Sequence, residues 1–507
     1  MKKYSLITPE GTRDLLFEEC TARREIESKL MELFKAHGFS EVITPFVEFY
    51  DTFKDCFSQE EMYKSADSKG RIIVNRPDST LPIIRLAQTR LKSEPRPLKL
   101  CYNQSIYRAN PKESGRDDEI AQCGVEIIGG DNENEALALA IKTLELIAER
   151  AGAEFRFEIG DCSVFDKLIE EHSIDSEQAE KIRRFVETKN IPALIESKCP
   201  EVFTRLPKLF GGDEVFDELG NDALVAKLRS VYGSLDKNAT VDLGLTNRHG
   251  YYTGLLFNGY IDGYGKPIIS GGKYRVNDID AIGFAVNVSA ITQLQKFKND
   301  NTIRIALTKG RLEKETLKLF DKMGWDVSQF ADKGRKLIFT IPAQNIEIVL
   351  AKAPDVITYV EMGVCDVGIT GKDMIDEYGG RYFEMLDLGL GKCRFSLIAN
   401  KGADFYEGHG VKNIASKYTG VTRRFFEEKG MDVNIVKIEG SVELTPLIGL
   451  ADGIVDIVET GATLRENGLE IIEDISNISA RVIVNPVKMK LKKEQINSIL
   501  SDMETVI

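Results

Sequence analysis

The spacing of hydrophobic residues before position 300 predicts a domain with clustered strands and clustered helices. An amphipathic pattern over Thr21–Ala36 predicts the first long helix. Strand-like apolar runs follow at Arg71–Val74, Leu98–Tyr102 and Gly124–Ile128, and helical patterns cover about 133–151 and 161–232. Because strands and helices are segregated along the chain, this half predicts an α+β domain built on an antiparallel sheet.

After position 300 the pattern changes to an alternation of strands and helices. Strand-like runs occur at Ile303–Leu307, Ile346–Leu350 and Asp366–Thr370, and the last two are separated by a helix-like stretch, Asp355–Met362. This alternation predicts an α/β domain whose helices cover a largely parallel sheet, with ligands at the carboxyl ends of the strands. The polar stretch Lys298–Thr302 has the character of a linker, so we expect domains at residues 1–298 and 302–507.

Length and composition agree with two globular domains. The 507 residues exceed the roughly 250–300 that a single hydrophobic core supports. Hydrophobic residues make up 42% and charged residues 29%, as in soluble globular proteins. The net charge of −13 argues against general nucleic-acid binding, which needs a basic face. It is compatible with a small anionic substrate, because a few arginines and helix termini act locally.

Targeting and metal-binding patterns are absent from the sequence. No apolar run approaches the roughly 20 residues of a membrane-spanning helix, and Met1–Glu10 lacks the apolar core of a signal peptide. The eight cysteines occur singly, without a Cys-x-x-Cys pair, and the four histidines are scattered. We therefore expect reduced thiols, a cytoplasmic location and no metal site built from protein ligands.

The most informative segment for chemistry is a strand that ends in a turn of small residues. Gly453–Val458 is an apolar, β-branched run, and the turn Glu459–Leu464 leads directly into a helix-prone segment. Backbone N–H groups and hydroxyls at such a helix start attract a phosphate, while the acidic residue can accept ribose hydroxyls. No Gly-Lys-Ser/Thr follows the glycine, so this is not a Walker loop. The alternative is an ordinary connection in which Thr463 caps the helix.

Charged residues occupy comparable positions beside three other strands. Lys309 and Arg311 follow the first strand of the second half, and Arg335 precedes a later strand-like run. Asp373 follows a third strand. For each residue alone the ordinary interpretation is a solvated surface charge, or a helix cap in the case of Asp373. Their shared position at strand ends favours a site for a phosphorylated ligand.

Together these segments resemble the short-form catalytic subunit of ATP phosphoribosyltransferase. The resemblance covers about residues 302–507 and rests on Leu307–Leu312, Arg335–Phe339, Asp355–Glu361, Asp366–Asp373 and Asp456–Gly468, in that order. It implies a two-lobed fold like that of type II periplasmic binding proteins. It also implies the first step of histidine biosynthesis, in which ATP and phosphoribosyl pyrophosphate give N1-(5-phosphoribosyl)-ATP and pyrophosphate. Mg²⁺ is then carried by the substrates.

The resemblance assigns roles to individual residues. Arg311 and Arg335 are the implied catalytic residues, near the pyrophosphate or the ATP phosphates, and Lys309, Arg311 and Asp373 are implied on the ATP side. The implied contacts to phosphoribosyl pyrophosphate are Glu459, Thr460, Gly461, Ala462, Thr463 and Leu464. Adenine N1 is itself the nucleophile, so the protein is expected to align two substrates and to stabilise a departing polyanion.

The first half resembles histidyl-tRNA synthetases over most of its length. The matching segments are Thr8–Asp14, Gly38–Glu48, Arg76–Thr80, Tyr107–Arg108, Gln122–Glu126 and Tyr251–Gly254. Two arginines usual in that family are replaced. Ala290 stands in place of an ATP-clamping arginine, and Asn247 stands in place of another, with Arg248 one position off. No anticodon-binding domain follows, so aminoacyl-adenylate chemistry lacks its means of holding ATP.

These departures fit the regulatory subunit of ATP phosphoribosyltransferase, a synthetase-like protein that has lost aminoacylation. The residues that match the histidine pocket are Asp78, Thr80, Arg108, Gln122, Glu126, Tyr251 and Tyr252. Asp78 and Lys273 stand where Glu and Arg are usual. The long-form enzyme adds a C-terminal histidine-binding domain, for which no room is left before Ile507, so the first half is expected to regulate. A natural fusion of the two subunits fixes their stoichiometry and raises their effective concentration.

The expected partners are ATP, phosphoribosyl pyrophosphate and histidine as an inhibitor, with no tRNA and no membrane. A homo-oligomer is expected because the synthetase-like family dimerises. Three alternatives stay open from the sequence. The histidine pocket is an inherited scaffold without a ligand, the chain is a non-catalytic ligand-binding or assembly protein on the same two folds, or it is an active histidyl-tRNA synthetase with an appended domain.

Overall fold

The computed structural model describes residues 4–110, 117–130, 132–219, 223–235, 238–246, 251–276, 278–292, 294 and 302–507. The chain divides into two compact units, Met1–Asn299 and Asp300–Ile507. Of the linker predicted at Lys298–Thr302, all but Thr302 lies outside the described residues.

The first unit is built on a long sheet and a small accessory sheet. Its strands are β1 (Ser40–Glu41), β2 (Val47–Phe49), β3 (Lys64–Ala66), β4 (Ile72–Asn75), β5 (Leu98–Tyr107), β6 (Glu119–Ile128), β7 (Phe155–Asp161), β8 (Phe210–Gly211), β9 (Ala239–Asp242), β10 (Tyr252–Ile261), β11 (Ile269–Val276) and β12 (Ile279–Asn287). The long sheet has the order β1-β5-β6-β12-β11-β10-β7-β9-β8, and the small one β2-β4-β3. Pairing is antiparallel apart from β1 with β5 and β7 with β9, which confirms the predicted antiparallel α+β class.

The helices of the first unit lie largely between these strands along the chain. They are α1 (Phe17–Ala36), α2 (Thr80–Gln88), α3 (Glu133–Ala151), α4 (Ser163–Glu171), α5 (Ser176–Glu187), α6 (Ile191–Glu196), α7 (Glu201–Arg205), α8 (Ala223–Gly233) and α9 (Val288–Thr292). The predicted helix Thr21–Ala36 is confirmed and begins earlier, at Phe17.

The helical stretches predicted over about 161–232 are present as separate short helices rather than as one continuous run. β7 extends to Asp161, and the helices that follow are separated by turns and by β8. Ser173, Lys189 and Lys198, just beyond the ends of α4, α5 and α6, adopt φ values of 52°, 47° and 53°. Such left-handed residues end a helix and redirect the chain, and side-chain periodicity alone does not reveal them.

The core of the first unit lies between the long sheet and helices α1 and α3. Ile26, Leu30 and Phe34 recur on one face of α1 and are buried. The ring of Phe34 packs edge-on against that of Phe284 on β12, with 5.9 Å between centroids. Burying a side chain of this size stabilises the fold by about 1.5–3 kcal/mol. This packing fixes the back of β6 and β12, the strands that carry the pocket described below.

The second unit consists of two lobes, each with its own sheet. The strands are β13 (Ile303–Thr308), β14 (Ile338–Ile341), β15 (Ile346–Ala351), β16 (Val367–Gly371), β17 (Phe383–Asp387), β18 (Cys393–Asn400), β19 (Lys412–Ser416), β20 (Val433–Lys437), β21 (Gly453–Val458), β22 (Leu469–Ile478) and β23 (Ala480–Val484). Lobe A (residues 302–387 and 480–507) has the order β14-β15-β13-β16-β23-β17, and lobe B (residues 393–478) the order β20-β19-β21-β18-β22. The two-lobed fold is confirmed.

The prediction of a largely parallel sheet is wrong, because both sheets are mixed. Parallel pairing joins β15, β13 and β16 in lobe A and β20, β19 and β21 in lobe B. The other neighbours pair antiparallel. The physical reason is that the chain crosses between the lobes at Leu388–Lys392 and returns at Ser479, so β18 and β23, which follow these crossings, run against the direction of the parallel strands. β14 also runs against them, because it forms a hairpin with β15. β22 pairs antiparallel with β18 and therefore has the direction of β21.

The helices of the second unit follow the parallel strands. They are α10 (Arg311–Lys322), α11 (Ala353–Glu361), α12 (Lys372–Tyr378), α13 (Thr419–Glu428), α14 (Leu444–Leu447), α15 (Ala462–Glu466), α16 (Pro486–Leu491) and α17 (Lys493–Val506). β13, β15 and β16 therefore end where α10, α11 and α12 begin, and β19 and β21 end shortly before α13 and α15. This arrangement brings the chemically interesting turns to the carboxyl ends of strands, as predicted.

Several sequence patterns can be compared with the described residues as a whole. No helix among them combines the length and hydropathy that crossing a bilayer requires. All eight cysteines lie within the described ranges, and each is a free thiol. In these same ranges, no group of three or more His, Cys, Asp or Glu side chains is arranged to hold a metal ion.

Candidate functional site

The turn between β13 and α10 presents Arg311 at the edge of lobe A. Gly310 adopts φ +99°, a value that favours glycine, and an added Cβ would meet nothing within 4 Å. The buried carboxylate of Glu313 fixes the turn, because Oε2 accepts a hydrogen bond from the Gly310 N–H at 3.2 Å and Oε1 accepts one from Lys333 Nζ at 2.5 Å. The start of α10 is thus firmly held while Arg311 itself is exposed.

Arg311 of lobe A and Glu459 of lobe B form a two-pronged ion pair. Arg311 Nη1 donates to Glu459 Oε2 at 2.6 Å, and Nη2 donates to Oε1 at 3.0 Å. Hydrogen bonding to Glu459 raises the pKa of Arg311, and the same contact lowers the pKa of Glu459. Their side chains are 62% and 51% exposed. The pair is therefore open to solvent, and a phosphate can replace the carboxylate on the guanidinium fork.

The turn after β21 is short and leads into α15 through a glycine. Gly461 adopts φ +68° and is the N-cap of α15, so the alternative in which Thr463 caps this helix is wrong. The Ala462 N–H donates to Thr460 Oγ1 at 3.4 Å, and Arg465 Nη1 donates to the Thr460 carbonyl at 3.2 Å. Leu464 packs against the core of lobe B, which anchors the turn. Thr460, Ala462 and Thr463 are exposed.

Asp373, at the start of α12, meets residues of lobe B. Burial raises the pKa of the Tyr418 hydroxyl, and the charge of the Asp373 carboxylate adds to the rise. Burial raises the pKa of Asp373, and the nearby Lys417 ammonium opposes that rise. Asp456, on β21, is also buried enough to have a raised pKa, again opposed by Lys417. Two carboxylates from different lobes thus share the influence of a single lysine.

Cys393 links this carboxylate group to the Arg311–Glu459 pair. Burial raises the pKa of its thiol to about 11, with Asp373 and Glu459 adding to the rise and Arg311 opposing it. Arg311, Asp373 and Glu459 therefore all lie within electrostatic range of Cys393. The structure brings Arg311, Asp373 and Glu459, which come from three separate sequence segments, to one cleft between the lobes.

Lys309 and Arg335 lie at the same edge of lobe A without joining these contacts. The Lys309 N–H donates to the Ala351 carbonyl at 2.9 Å, which sets it beside the carboxyl end of β15. Arg335 precedes β14, which runs antiparallel to β15. The start of β14 therefore lies beside the carboxyl end of β15, at the same edge. Within the described parts of the chain, neither side chain forms a hydrogen bond or an ion pair, and both are exposed.

The predicted pocket of the first unit centres on the buried carboxylate of Glu126. Thr80 Oγ1 donates to Glu126 Oε1 at 2.7 Å, and Tyr274 Oη donates to Oε2 at 2.6 Å. Asp78 Oδ1 accepts from the N–H groups of Thr80 and Leu81, at 2.8 and 3.3 Å, at the start of α2. Hydroxyls and backbone N–H groups thus hold the two carboxylates in fixed positions.

Burial dominates the electrostatics of this pocket. It raises the pKa of Glu126 from its ordinary 4.5 to about 8, against the hydrogen bonds from Tyr274 and Thr80. Burial also raises the pKa of Asp78, although the Arg108 guanidinium, whose Nη2 lies 3.9 Å from Asp78 Oδ2, opposes it. Among the described residues, the pocket therefore has less positive charge than its acidic groups require.

The remaining predicted residues lie around these carboxylates. Tyr251 and Tyr252 pack together with 4.7 Å between ring centroids, and the charges of Asp78 and Glu126 act on both. Gln122 is four residues before Glu126 on β6 and so faces the same side of the sheet. Its buried Oε1 has no hydrogen-bond partner among the described residues, which leaves an acceptor for a ligand donor.

Comparison with known proteins now identifies both units. Residues 352–505 match the family model described as ATP phosphoribosyltransferase. The curated ATP phosphoribosyltransferase of Clostridium kluyveri is 56% identical over 208 residues, which cover 41% of this chain and 95% of that protein. The chain belongs to the ATP phosphoribosyltransferase family. The corresponding protein of Clostridium acetobutylicum is 54% identical over 208 residues and is covered to 97%.

The first unit belongs to a second family. Residues 11–291 match the family model described as histidyl-tRNA synthetase. A solved structure titled as an ATP phosphoribosyltransferase regulatory subunit/histidyl-tRNA synthetase from Bacillus halodurans superposes with a TM-score of 0.52 and 26% identity, and it covers 69% of this chain and 94% of that one. One polypeptide therefore joins a synthetase-like domain to an ATP phosphoribosyltransferase domain. The predicted fold classes and the predicted enzyme class, a glycosyltransferase, are confirmed.

The structure explains what happened at the positions where synthetases use arginine. Ala290 is 1% exposed and belongs to the core of the synthetase-like domain, and its N–H donates to Asn287 Oδ1 at 3.0 Å. Alanine at this core position supplies no positive charge. Lys273 donates to Glu133 Oε1 at 2.9 Å. Asn247 and Arg248 lie outside the described residues.

Sequence reasoning missed the residues that shape the synthetase-like pocket. Tyr274 was not singled out, although it supplies a hydroxyl to Glu126. A Cβ on Gly283 would lie 2.0 Å from Glu126 Oε2, and one on Gly124 would lie 2.4 Å from the hydroxyl of Tyr102. Glycines inside strands indicate a close approach of other groups, so these two positions carried a usable signal.

Proposed function

We propose that the cleft between lobes A and B transfers a phosphoribosyl group to ATP and that the synthetase-like pocket binds histidine and restrains this reaction. Residues 302–507 are assigned to catalysis and residues 1–298 to regulation. The observation that carries the catalytic part is the two-pronged pair between Arg311 and Glu459. It joins a cation suited to phosphate with a carboxylate suited to ribose hydroxyls, one from each side of the cleft.

In this proposal, phosphoribosyl pyrophosphate separates the pair and takes over both partners. Its pyrophosphate oxygens replace the carboxylate on the Arg311 fork, because guanidinium binds phosphate with the same bidentate geometry. Glu459 then accepts the ribose hydroxyls. The 5-phosphate is held at the turn made by Thr460, Gly461, Ala462, Thr463 and Leu464, where N–H groups at the start of α15 face the ligand.

The reaction needs no nucleophile from the protein. Adenine N1 forms a bond to ribose C1 while the bond from C1 to the pyrophosphate oxygen breaks. Charge leaves with the pyrophosphate, and Arg311 and Arg335 stabilise it. Lys309 and Asp373 are assigned to the ATP side, where the charge of the Asp373 carboxylate acts on Tyr418 of lobe B. The catalytic work is alignment and electrostatic stabilisation.

Mg²⁺ would enter this site bound to the phosphates of the substrates. The described residues contain no cage of three or more ligating side chains, and Mg²⁺ is commonly held by substrate phosphates and water with few protein ligands. The ion supplies charge neutralisation on the phosphates. The neighbouring carboxylates Asp373 and Asp456 have raised pKa values because of burial.

Histidine suits the synthetase-like pocket because its ammonium supplies a positive charge beside two acidic groups that the described residues hold mainly with hydroxyls and backbone N–H groups. Asp78 and Glu126 are buried with raised pKa values, and Arg108 is the cation nearest to Asp78. Tyr251 and Tyr252 offer ring faces, Thr80 holds Glu126, and the free Oε1 of Gln122 can accept an N–H donor. We further propose a cytoplasmic homo-oligomer that does not use tRNA, since Ala290 removes the ATP-clamping cation.

The test is pyrophosphate release by the purified full-length chain with ATP, phosphoribosyl pyrophosphate and Mg²⁺, without tRNA. We expect release that requires both substrates and falls when histidine is added, together with histidine binding by isothermal titration. Asp78→Asn is expected to abolish that titration signal while leaving release without histidine unchanged.

Each alternative predicts a different result in the same assay. Release from ATP and histidine without phosphoribosyl pyrophosphate would identify an active synthetase. Absence of release would identify a ligand-binding or assembly protein. Release that histidine does not affect, with no titration signal, would leave the first unit as a scaffold.

A further inference from the structure

The carboxylate of Glu315 lies between Arg311 and the connection that joins the two lobes. Glu315 is four residues after Arg311 on α10, so both side chains lie on the same face of the helix. Glu315 Oε1 accepts a hydrogen bond from Arg311 Nε at 3.0 Å. Its other oxygen, Oε2, accepts from the N–H of Gly391 at 3.0 Å. Each oxygen of this carboxylate thus accepts a hydrogen bond from another group.

The hydrogen bond at Nε determines which edge of the guanidinium is available to other groups. Guanidinium presents its donors in a rigid, planar fork. With Nε held by Glu315, the Nη1 and Nη2 pair points at Glu459, where the two bonds measure 2.6 and 3.0 Å. A guanidinium without this anchor samples several rotamers. Glu315 therefore selects the orientation in which the bidentate edge faces lobe B.

The contact with Gly391 connects this orientation to the lobe junction. Gly391 lies in Leu388–Lys392, where Gly389 and Gly391 adopt φ values of +61° and +60°. Such residues are suited to absorbing backbone rotation. The side chain of Glu315 is 27% exposed, against 62% for Arg311, so water competes less for Glu315 than for the fork. The orientation of the Arg311 guanidinium is therefore fixed relative to the junction between the lobes as well as relative to its own helix.

We propose that Glu315 is a positioning residue for phosphoribosyl transfer. It holds the Nη edge of Arg311 toward the substrate phosphates after Glu459 has released that edge to bind ribose. Glu315 itself does not touch either substrate. The inference rests on the proposed role of Arg311 and adds the group that directs it and the backbone N–H to which that group is tied.

The test uses steady-state kinetics of the full-length chain with ATP and phosphoribosyl pyrophosphate. Glu315→Ala is expected to lower kcat by about 10-fold to 100-fold, the scale of a misaligned catalytic group, while both KM values change by less than about threefold. Glu315→Gln keeps one acceptor and the side-chain size, so it is expected to recover part of kcat. Neither variant should change Tm, because Arg311 and Gly391 stay accessible to water.

Matched variants separate the possible outcomes. Glu171→Ala removes another helical pair, with Lys167 at 3.5 Å in the first unit, and is expected to keep the parental kcat. Arg311→Ala combined with Glu315→Ala should be no slower than Arg311→Ala alone, because the two residues act as one unit. Additive losses, or a parental kcat for Glu315→Ala beside a slow Arg311→Ala, would overturn the positioning role. A parental kcat for Arg311→Ala would instead overturn the proposed role of Arg311, and the inference with it.

Discussion

Glu126 in the first unit and Glu459 in the second are both carboxylates of proposed ligand sites, yet their surroundings act on them in opposite directions. Glu126 is 2% exposed, and burial raises its pKa to about 8. Glu459 is about half exposed, and Arg311 lowers its pKa. The first carboxylate is held by hydroxyls and the second by a cation. The same functional group is thus prepared for different ligands by solvent access and partner alone.

This difference teaches which ligand each site can accept. A closed pocket with two acidic groups and little positive charge gains most from a small cationic ligand, because charge interactions are strong where water is excluded. An open cleft with a separable ion pair gains most from a polyanion that also carries hydroxyls. Four expected results test this contrast, and they are ordered by the size of the effect.

The largest effect is expected from Arg335→Ala. Arg335 is exposed at the edge of lobe A and forms no ion pair within the described residues, so its charge is free to stabilise departing pyrophosphate. We expect kcat to fall on the order of 100-fold, as for loss of a single transition-state donor, with a smaller effect on ATP binding. Single-turnover kinetics measure the chemical step directly. An unchanged chemical step would remove Arg335 from catalysis, and Arg423→Ala, another exposed arginine in the second unit, serves as the control.

A smaller effect is expected from Gly461→Ala in the proposed phosphate turn. Gly461 and Gly468 both adopt φ +68° and lie at opposite ends of α15. Alanine is strained equally at both positions, by about 1 kcal/mol. We expect KM for phosphoribosyl pyrophosphate to rise about 10-fold more for Gly461→Ala than for Gly468→Ala, because only the former turn faces the 5-phosphate. Equal KM values for the two variants would contradict the assignment.

The buried site predicts a pH dependence of stability. The folded state holds the Glu126 proton more tightly than the unfolded chain does, because the pKa is about 8 instead of 4.5. Raising the pH from 4.5 through 8 therefore lowers the free energy of unfolding. In Glu126→Gln this contribution is absent, so Tm of the variant should rise relative to the parent by a few degrees between pH 5 and pH 8. A constant difference in Tm across that range would show that Glu126 ionises normally.

The smallest effect is expected from Glu459→Gln on stability. The Arg311–Glu459 pair is solvent-exposed, and exposed ion pairs contribute little to folding. We expect no measurable change in Tm, in contrast with a clear rise in KM for phosphoribosyl pyrophosphate. A large loss of Tm would mean that the pair holds the lobes together rather than waiting for substrate.

Local structure was predictable where one pattern dominates the chain. The β-branched run at Gly453–Val458 and the turn after it were predicted as a strand and a helix start, and both are confirmed as β21 and α15. The helix is capped at Gly461 and not at Thr463, the cap of the alternative interpretation, because a glycine at φ +68° opens the helix two residues earlier. Such a choice depends on backbone angles, which hydrophobic spacing does not encode.

Long-range partners were the part that the sequence could not supply. Tyr274 donates to Glu126 across 148 positions, and Glu315 accepts from Gly391 across 76. Strand direction could not be predicted either, because the hydrophobic pattern of β23 is the same for parallel and antiparallel pairing. Motifs located the turns that carry Arg311 and Glu459. Only the folded chain specifies that the two side chains share two hydrogen bonds.

Gly283 gives the first unit a mutational weak point. Any side chain there begins with a Cβ 2.0 Å from Glu126 Oε2, so even alanine must expel the carboxylate from its place. On the proposed function, a single added methyl group would disconnect end-product feedback from synthesis while leaving the catalytic lobes intact. A cell carrying Gly283→Ala would go on committing ATP to histidine after its needs were met, which makes this backbone position a natural origin of overproducing strains.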